Sequence, residues 1–173
     1  MMETFKDMVN HCIRIGLENN CSTLKKLSTL SYHELKQYNM MSYYVLNAIS
    51  QAAGRLAQRK HDIKKGKTVK SPFVEKPYLV SCYGFKINGM LLSFPISNRS
   101  FANILLNKHI EQKLSEDVEP RSFTITPDSL NLSQKTGFGN KTRISNRNRQ
   151  EPKKRHNIDP TNYNVQDSQS PLN

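Results

Sequence analysis

Between Arg55 and Lys76 the hydrophobic period of this chain changes from that of helices to that of strands. The stretch across which it changes, RLAQRKHDIKKGKTVKSPFVEK, holds Arg55, Arg59, Lys60, Lys64, Lys65, Lys67, Lys70 and Lys76 against only Asp62 and Glu75. Helices on one side and short strands on the other make different layers, so the sequence reads as two small modules with a basic joint. Such a joint has two readings, a solvated linker or a surface across which a polyanion lies.

Upstream of the joint, Phe5, Met8, Val9, Cys12, Ile13 and Gly16 recur at three and four over 3–17, an amphipathic helix stopped by Asn19 and Asn20. Ser22 is placed to cap a short second helix with Leu24 and Leu27 facing inward. Ser31, with Glu34 three residues later, has capping-box spacing for a third. A longer fourth helix is expected over 42–61, with Val45, Ile49, Ala52, Ala53 and Leu56 as its apolar stripe. Arg55, Arg59 and Lys60 lie toward its other side and its C-terminal end, where cations suit the helix dipole. Ala48, Ala52, Ala53, Gly54 and Ala57 leave one side slim, for close contact with another helix or with a nucleic acid backbone. Gly66 ends the helical part.

Downstream, Tyr78 to Tyr83 reads as a strand. Phe85 to Ile87 leads into Asn88-Gly89, the favoured pair for a two-residue type I′ turn, before Met90 to Phe94 returns and Pro95 ends the hairpin. Ala102 to Leu106 is a further strand, followed by a short helix from Lys108 to Leu114. Arg121 to Thr126 alternates, with Phe123 and Ile125 on one face, and Pro127-Asp128-Ser129 turns the chain into Leu130 to Ser133. Five or six short strands in about 60 residues predict a compact barrel or curled sheet, too small to hold much core unless it packs on the helices or on a ligand. From Gln134 the large apolar residues thin out and lose periodicity, so a disordered tail is expected.

The net charge of +12 on 173 residues favours a phosphate backbone or an anionic surface as partner. The longest apolar runs, such as Tyr43–Leu46 and Met90–Leu92, are far short of the roughly 20 residues that span a bilayer. Glu3, Lys6 and Asp7 interrupt any signal-peptide core, so a cytoplasmic chain with no membrane partner is expected. Cys12, Cys21 and Cys82 form no C-x-x-C pair, and reduced thiols are expected rather than a disulfide or a structural metal. Neither a nucleophile constellation nor a glycine-rich phosphate loop nor paired carboxylates stand out. The acidic cluster Glu116, Asp117 and Glu119 reads as solvated charge, and no catalytic or metal-binding residue is assigned. Binding is better supported than catalysis. Tyr78, Tyr83 and Phe85 sit beside the basic joint and read either as core rings or as base platforms, and Arg99 and Arg121, at strand edges, would extend a basic face.

The order of segments YYVLNAISQAAGRLAQRKHDIKKGK, SPFVEKPYLVSCYGFKINGMLLSFPISNRSFANILLN and RSFTITPDSLNLS resembles the OrfB/TnpB family of insertion-sequence proteins, archaeal members in particular. Once described as transposases, these are RNA-guided DNA endonucleases related to type V CRISPR effectors. The resemblance covers about residues 5–134. It implies an α+β fold in which a helical recognition-like module, 1–66, packs on a small wedge-type β-barrel, 67–134, followed by a disordered basic tail, 135–173. It implies guide RNA and target DNA as partners, with the basic joint and the fourth helix as backbone contacts.

The family's RuvC-like nuclease half, with three acidic metal ligands and usually a zinc ribbon, is expected shortly after Ser133 and is not recognisable there. An opening barrel strand before the first helix is not recognisable either. By the resemblance, Mg would belong to that nuclease half, so no cofactor is assigned to this chain. Read one nucleotide later, allowed codons for Ser145 to His156, SNRNRQEPKKRH, give Val-Ile-Gly-Ile-Asp-Arg-Asn-Leu-Arg-Asn-Val, which resembles the family's first RuvC strand. The expectation is a frameshift between about Ser133 and Ser145 that leaves the tail out of frame. A nucleic-acid-binding fragment without nuclease activity, a decayed product with no function, and a stand-alone RNA-binding regulator of the full-length enzyme all stay open on these residues.

Overall fold

A computed structural model describes residues 1–114, 119–135 and 141–147. The helical half consists of α1 (Met2–Glu18), α2 (Leu24–Leu35) and α3 (Ser42–Lys64), with a single 3-10 turn, Lys36–Tyr38, after α2. α1 buries Phe5, Met8, Val9, Cys12 and Ile13, and α3 buries Val45, Ile49, Ala52, Ala53 and Leu56, as the three-and-four spacing requires. The slim side of α3 is a helix contact in its buried part, where Ala48 and Ala52 are wholly covered. None of the helices among the described residues is long and apolar enough to cross a membrane.

The second and third helices expected from Ser22 and Ser31 are one. α2 runs unbroken through Ser31, which is buried and donates its hydroxyl to the Leu27 carbonyl at 2.8 Å, one turn back. Leu27, Ser31 and Leu35 form its inner row, whereas Leu24 is half exposed. Mid-helix back-bonding of this kind satisfies a buried serine without breaking the helix, so the capping-box spacing marked no start. The N-cap is Thr23, and its side chain makes no capping bond. Cys12 donates to Ser31 Oγ at 3.7 Å, and burial pushes its thiol up to about 11, so Cys12 is a neutral packing residue.

Gly16 sets how closely α1 approaches α3. A Cβ there would collide with Leu56 Cδ1 and come within 3.0 Å of the Cys21 carbonyl oxygen, whereas a Cβ on Gly54 would meet nothing within 4 Å. Opposite results are expected in thermal or urea unfolding. Gly16→Ala destabilises by about 1–3 kcal/mol through overpacking, and Gly54→Ala stabilises by roughly 0.5–1 kcal/mol by removing helix-interior glycine.

Among the described residues seven strands follow: β1 (Leu79–Ser81), β2 (Lys86–Asn88), β3 (Leu91–Ser97), β4 (Ser100–Leu105), then, after the short helix α4 (Lys108–Lys113), β5 (Glu119–Thr126), β6 (Ser129–Lys135) and β7 (Lys141–Arg147). They form two antiparallel sheets, ordered β1-β5-β6-β7 and β2-β3-β4. The architecture is α+β.

Three local details differ from expectation. Asn88 pairs with Leu91, so the two-residue turn is Gly89-Met90. Glycine at positive φ comes first and Met90 follows at negative φ, the signature of a type II′ turn rather than type I′. This register sets Ile87 opposite Leu92, which is wholly buried. β3 continues through Pro95 to Ser97, because β2 reaches only Ser93 and the missing proline N–H falls where β3 has one neighbour. Lys141–Arg147, expected to be disordered, is a strand paired with β6 over its whole length. Edge pairing needs backbone groups rather than buried side chains, so low apolar content did not forbid it. Lys135, the first residue of the expected tail, ends β6, and the rest of that tail, 136–140 and 148–173, lies outside the described residues.

The sheets meet through side chains. Phe123 of β5 is wholly buried, edge-on to Phe85 at 5.3 Å and tilted against Phe94 of β3 at 5.1 Å. The helices join the same core. Tyr44 of α3 donates its buried hydroxyl to the Pro95 carbonyl at 2.8 Å, and Phe5 of α1 packs edge-on against Tyr78 at 5.2 Å. One hydrophobic cluster runs from Phe5 to Leu132, across both halves of the chain.

Candidate nucleic-acid interface

The basic joint is the end of α3 plus the connection from it to β1. α3 stops in a Schellman motif: Gly66, at φ +76, donates to the Ile63 carbonyl at 2.9 Å, and Lys67 donates to the Asp62 carbonyl at 3.1 Å. Asp62 also takes the Lys67 ammonium at 3.1 Å and the Gln58 amide at 2.8 Å, and these two donors hold its carboxyl below the usual range. The one acid in the middle of the basic run therefore closes the helix, and Lys67 is committed to it.

Beyond Gly66 the chain has no regular secondary structure up to β1, and α1 holds it by hydrogen bonds at Val74. Asn10 of α1 donates its amide to the Val74 carbonyl at 2.9 Å and accepts the Val74 N–H at 2.8 Å, standing in for a neighbouring strand. Val74 is thereby buried, and the adjacent Phe73 is left 67% exposed. Phe73 stands between two clefts. One, about 740 Å³, runs along α1 and is lined by Arg14, Tyr38 and Lys6 but also by Asp7 and Glu18, with Lys6 paired to Glu3 and Asp7. The other, about 380 Å³, is lined by Arg55, Lys76 and Tyr78, with Glu75 as its one acid among the described residues. An exposed ring flanked by guanidinium and ammonium groups is chemically suited to stack an unpaired base while its phosphates are neutralised.

The ten basic residues singled out from the sequence fall into separate groups. Arg59, Lys60 and Lys64 share a cavity of about 280 Å³ at the α1–α2 turn. Arg55 and Lys76 share the cleft beside Phe73. Lys65 and Lys70 are exposed on the connection, and Lys67 is paired. Arg99 is exposed in the β3–β4 turn and Arg121 is exposed on β5, and neither lines a cavity with the joint.

The aromatic residues divide as well. Tyr78 is buried, and burial pushes its phenol up. The Arg55 guanidinium lies near enough to oppose that shift, although the hydroxyl itself has no hydrogen-bond partner. Phe85 is engaged with Phe123, so of the three rings considered only Tyr83, 66% exposed, is free as a platform.

Phe73, Lys6 and Arg14 were missed from sequence. The signal available was Phe73-Val74 in an otherwise polar connection. It says that one of the two is buried, and Asn10, 64 residues away, decides which. Among the described residues there is no cluster of three or more His, Cys, Asp or Glu side chains able to hold a metal ion. Glu116 and Asp117 of the acidic cluster lie outside the described residues. No protein-family model, no curated protein and no solved structure matches the chain.

Proposed function

We propose that this chain binds nucleic acid along α3 and its connection to β1, with unpaired bases on Phe73 and backbone phosphates on Arg55, Arg59, Lys60, Lys64, Lys65, Lys70 and Lys76. The observation that carries this is Phe73, held 67% exposed by the Asn10–Val74 tether beside a cleft lined by Arg55 and Lys76, with Arg14 in the cleft on its other side. A large exposed ring in a tethered, basic segment contributes little to folding and much to stacking.

The resemblance to OrfB/TnpB proteins makes the proposed ligand a guide RNA and its duplex with target DNA. In that reading the two sheets are the two halves of a wedge-type barrel and Arg99 and Arg121 extend its contacts. The proposal assigns no catalytic step to the described residues.

The test is binding of a short single-stranded RNA to the full chain at low salt, followed by fluorescence anisotropy. Phe73→Ala is expected to weaken binding by about 1–3 kcal/mol, the worth of one stacked base, without changing thermal stability. Absence of binding at low salt, or a Phe73→Ala protein that binds as well as the original, would overturn the proposal.

A further inference from the structure

The cavity at the α1–α2 turn concentrates positive charge without a counter-charge. Arg59, Lys60 and Lys64, from the last two turns of α3, line it together with Asn20 and Ser22, and no acidic residue does. The Nε of Arg59 is buried and has no hydrogen-bond partner. A buried guanidinium N–H with no acceptor is unfavourable in the free protein, and a ligand oxygen would satisfy it. Close by, α2 opens with no acidic residue in its first turn and no side-chain cap on Thr23, so its own amides add to the positive field.

Size narrows the ligand. At about 280 Å³ the cavity is at the lower edge of the roughly 300–1,000 Å³ typical of small-molecule sites. It suits one compact oxyanion with what is attached to it, rather than a whole cofactor. Arg55, one helical turn before Arg59, lines the cleft that holds Phe73, so a strand following α3 meets the two clefts in succession.

We propose that this cavity is a phosphate seat, formed by Arg59, Lys60 and Lys64. Its occupant, which rests on the nucleic-acid reading above, is one backbone phosphate of the bound strand. The seat needs the directional N–H of Arg59 and not merely its charge, because a guanidinium offers a fixed fork that an ammonium does not.

The experiment follows the Arg59 Nε–Hε signal of the full chain by NMR while sodium phosphate, sodium chloride at matched ionic strength, or a short oligoadenylate RNA is added. Phosphate and RNA are expected to move the signal and chloride is not. In RNA binding, Arg59→Lys, which keeps the charge and loses Nε, is expected to weaken affinity roughly tenfold. Lys86→Ala, exposed on β2 and outside both the cavity and the proposed contacts, is expected to weaken it less than about threefold. RNA binding with no movement of the signal overturns the seat and leaves the proposed function standing, as does an equal loss in the two variants. A phosphate-specific shift without RNA binding keeps the seat, makes a free phosphate ester its ligand, and overturns the nucleic-acid reading. Movement by chloride as large as by phosphate overturns the seat.

Discussion

Phe123→Ala is expected to destabilise the protein by about 3–5 kcal/mol, a large part of the roughly 5–15 kcal/mol typical of a whole domain. Phe123 is wholly buried, and its ring contacts Phe94 of the opposite sheet and Phe85, the residue just before β2. The sheets share no backbone ladder among the described residues, so side-chain packing is what joins them, and this ring is at its centre. Truncation loses the transfer energy of the ring and leaves a cavity that neighbours on two separate sheets cannot close together. Urea unfolding of the full chain measures the loss, with Tyr83→Ala as the control, because Tyr83 is exposed and should change stability by less than about 0.5 kcal/mol. A loss below about 1 kcal/mol for Phe123→Ala would mean that the two sheets are not packed through it.

RNA affinity is expected to fall about a thousandfold between roughly 50 and 200 mM salt if the whole joint is engaged. Of the eight basic side chains from Arg55 to Lys76, Lys67 alone is in an ion pair, which leaves seven for phosphates. Single strands release about 0.7 counterion per phosphate neutralised, so seven contacts give a slope of log K against log salt near −5. A slope nearer −2 would mean that only one group, such as Arg59, Lys60 and Lys64, carries the contact. The paired lysine supplies an internal check. Replacing Lys70 should reduce the slope by about 0.7, whereas replacing Lys67 should leave it unchanged and instead loosen the end of α3. Affinity independent of salt would overturn electrostatic binding along this surface.

The helices and most strands were legible because their apolar residues repeat with the period of the element they form. In α3 every residue of the expected stripe, Val45, Ile49, Ala52, Ala53 and Leu56, is buried. Phe123 and Ile125 of β5 are both buried on one face, as their alternation requires. Local signals failed where a distant partner competed with them. The capping box at Ser31 lost to a continuous row from Leu27 to Leu35 against the core. Asn88-Gly89 lost the turn to Gly89-Met90, because the register that buries Leu92 shifts the loop by one residue. β7 was invisible because an edge strand can be held by backbone bonds to β6, which leave no apolar trace in the sequence.

The candidate interface divides in the same way. The sequence by itself determined that a dense run of cations joins a helical half to a stranded half, since charge and hydrophobic period are properties of the residues in order. The pairing of Lys67 with Asp62 five residues before it is local to the helix end, whereas which of the other cations come together was decided only by the tertiary structure. It alone decided that Arg59, Lys60 and Lys64 meet the α1–α2 turn. Tyr78 turns inward while Phe73 faces solvent for the same kind of reason: Phe5 and Asn10, both on α1, hold the connection at Tyr78 and Val74. Contacts between residues more than 60 positions apart set those orientations, and no local pattern of charge or hydrophobicity encodes them.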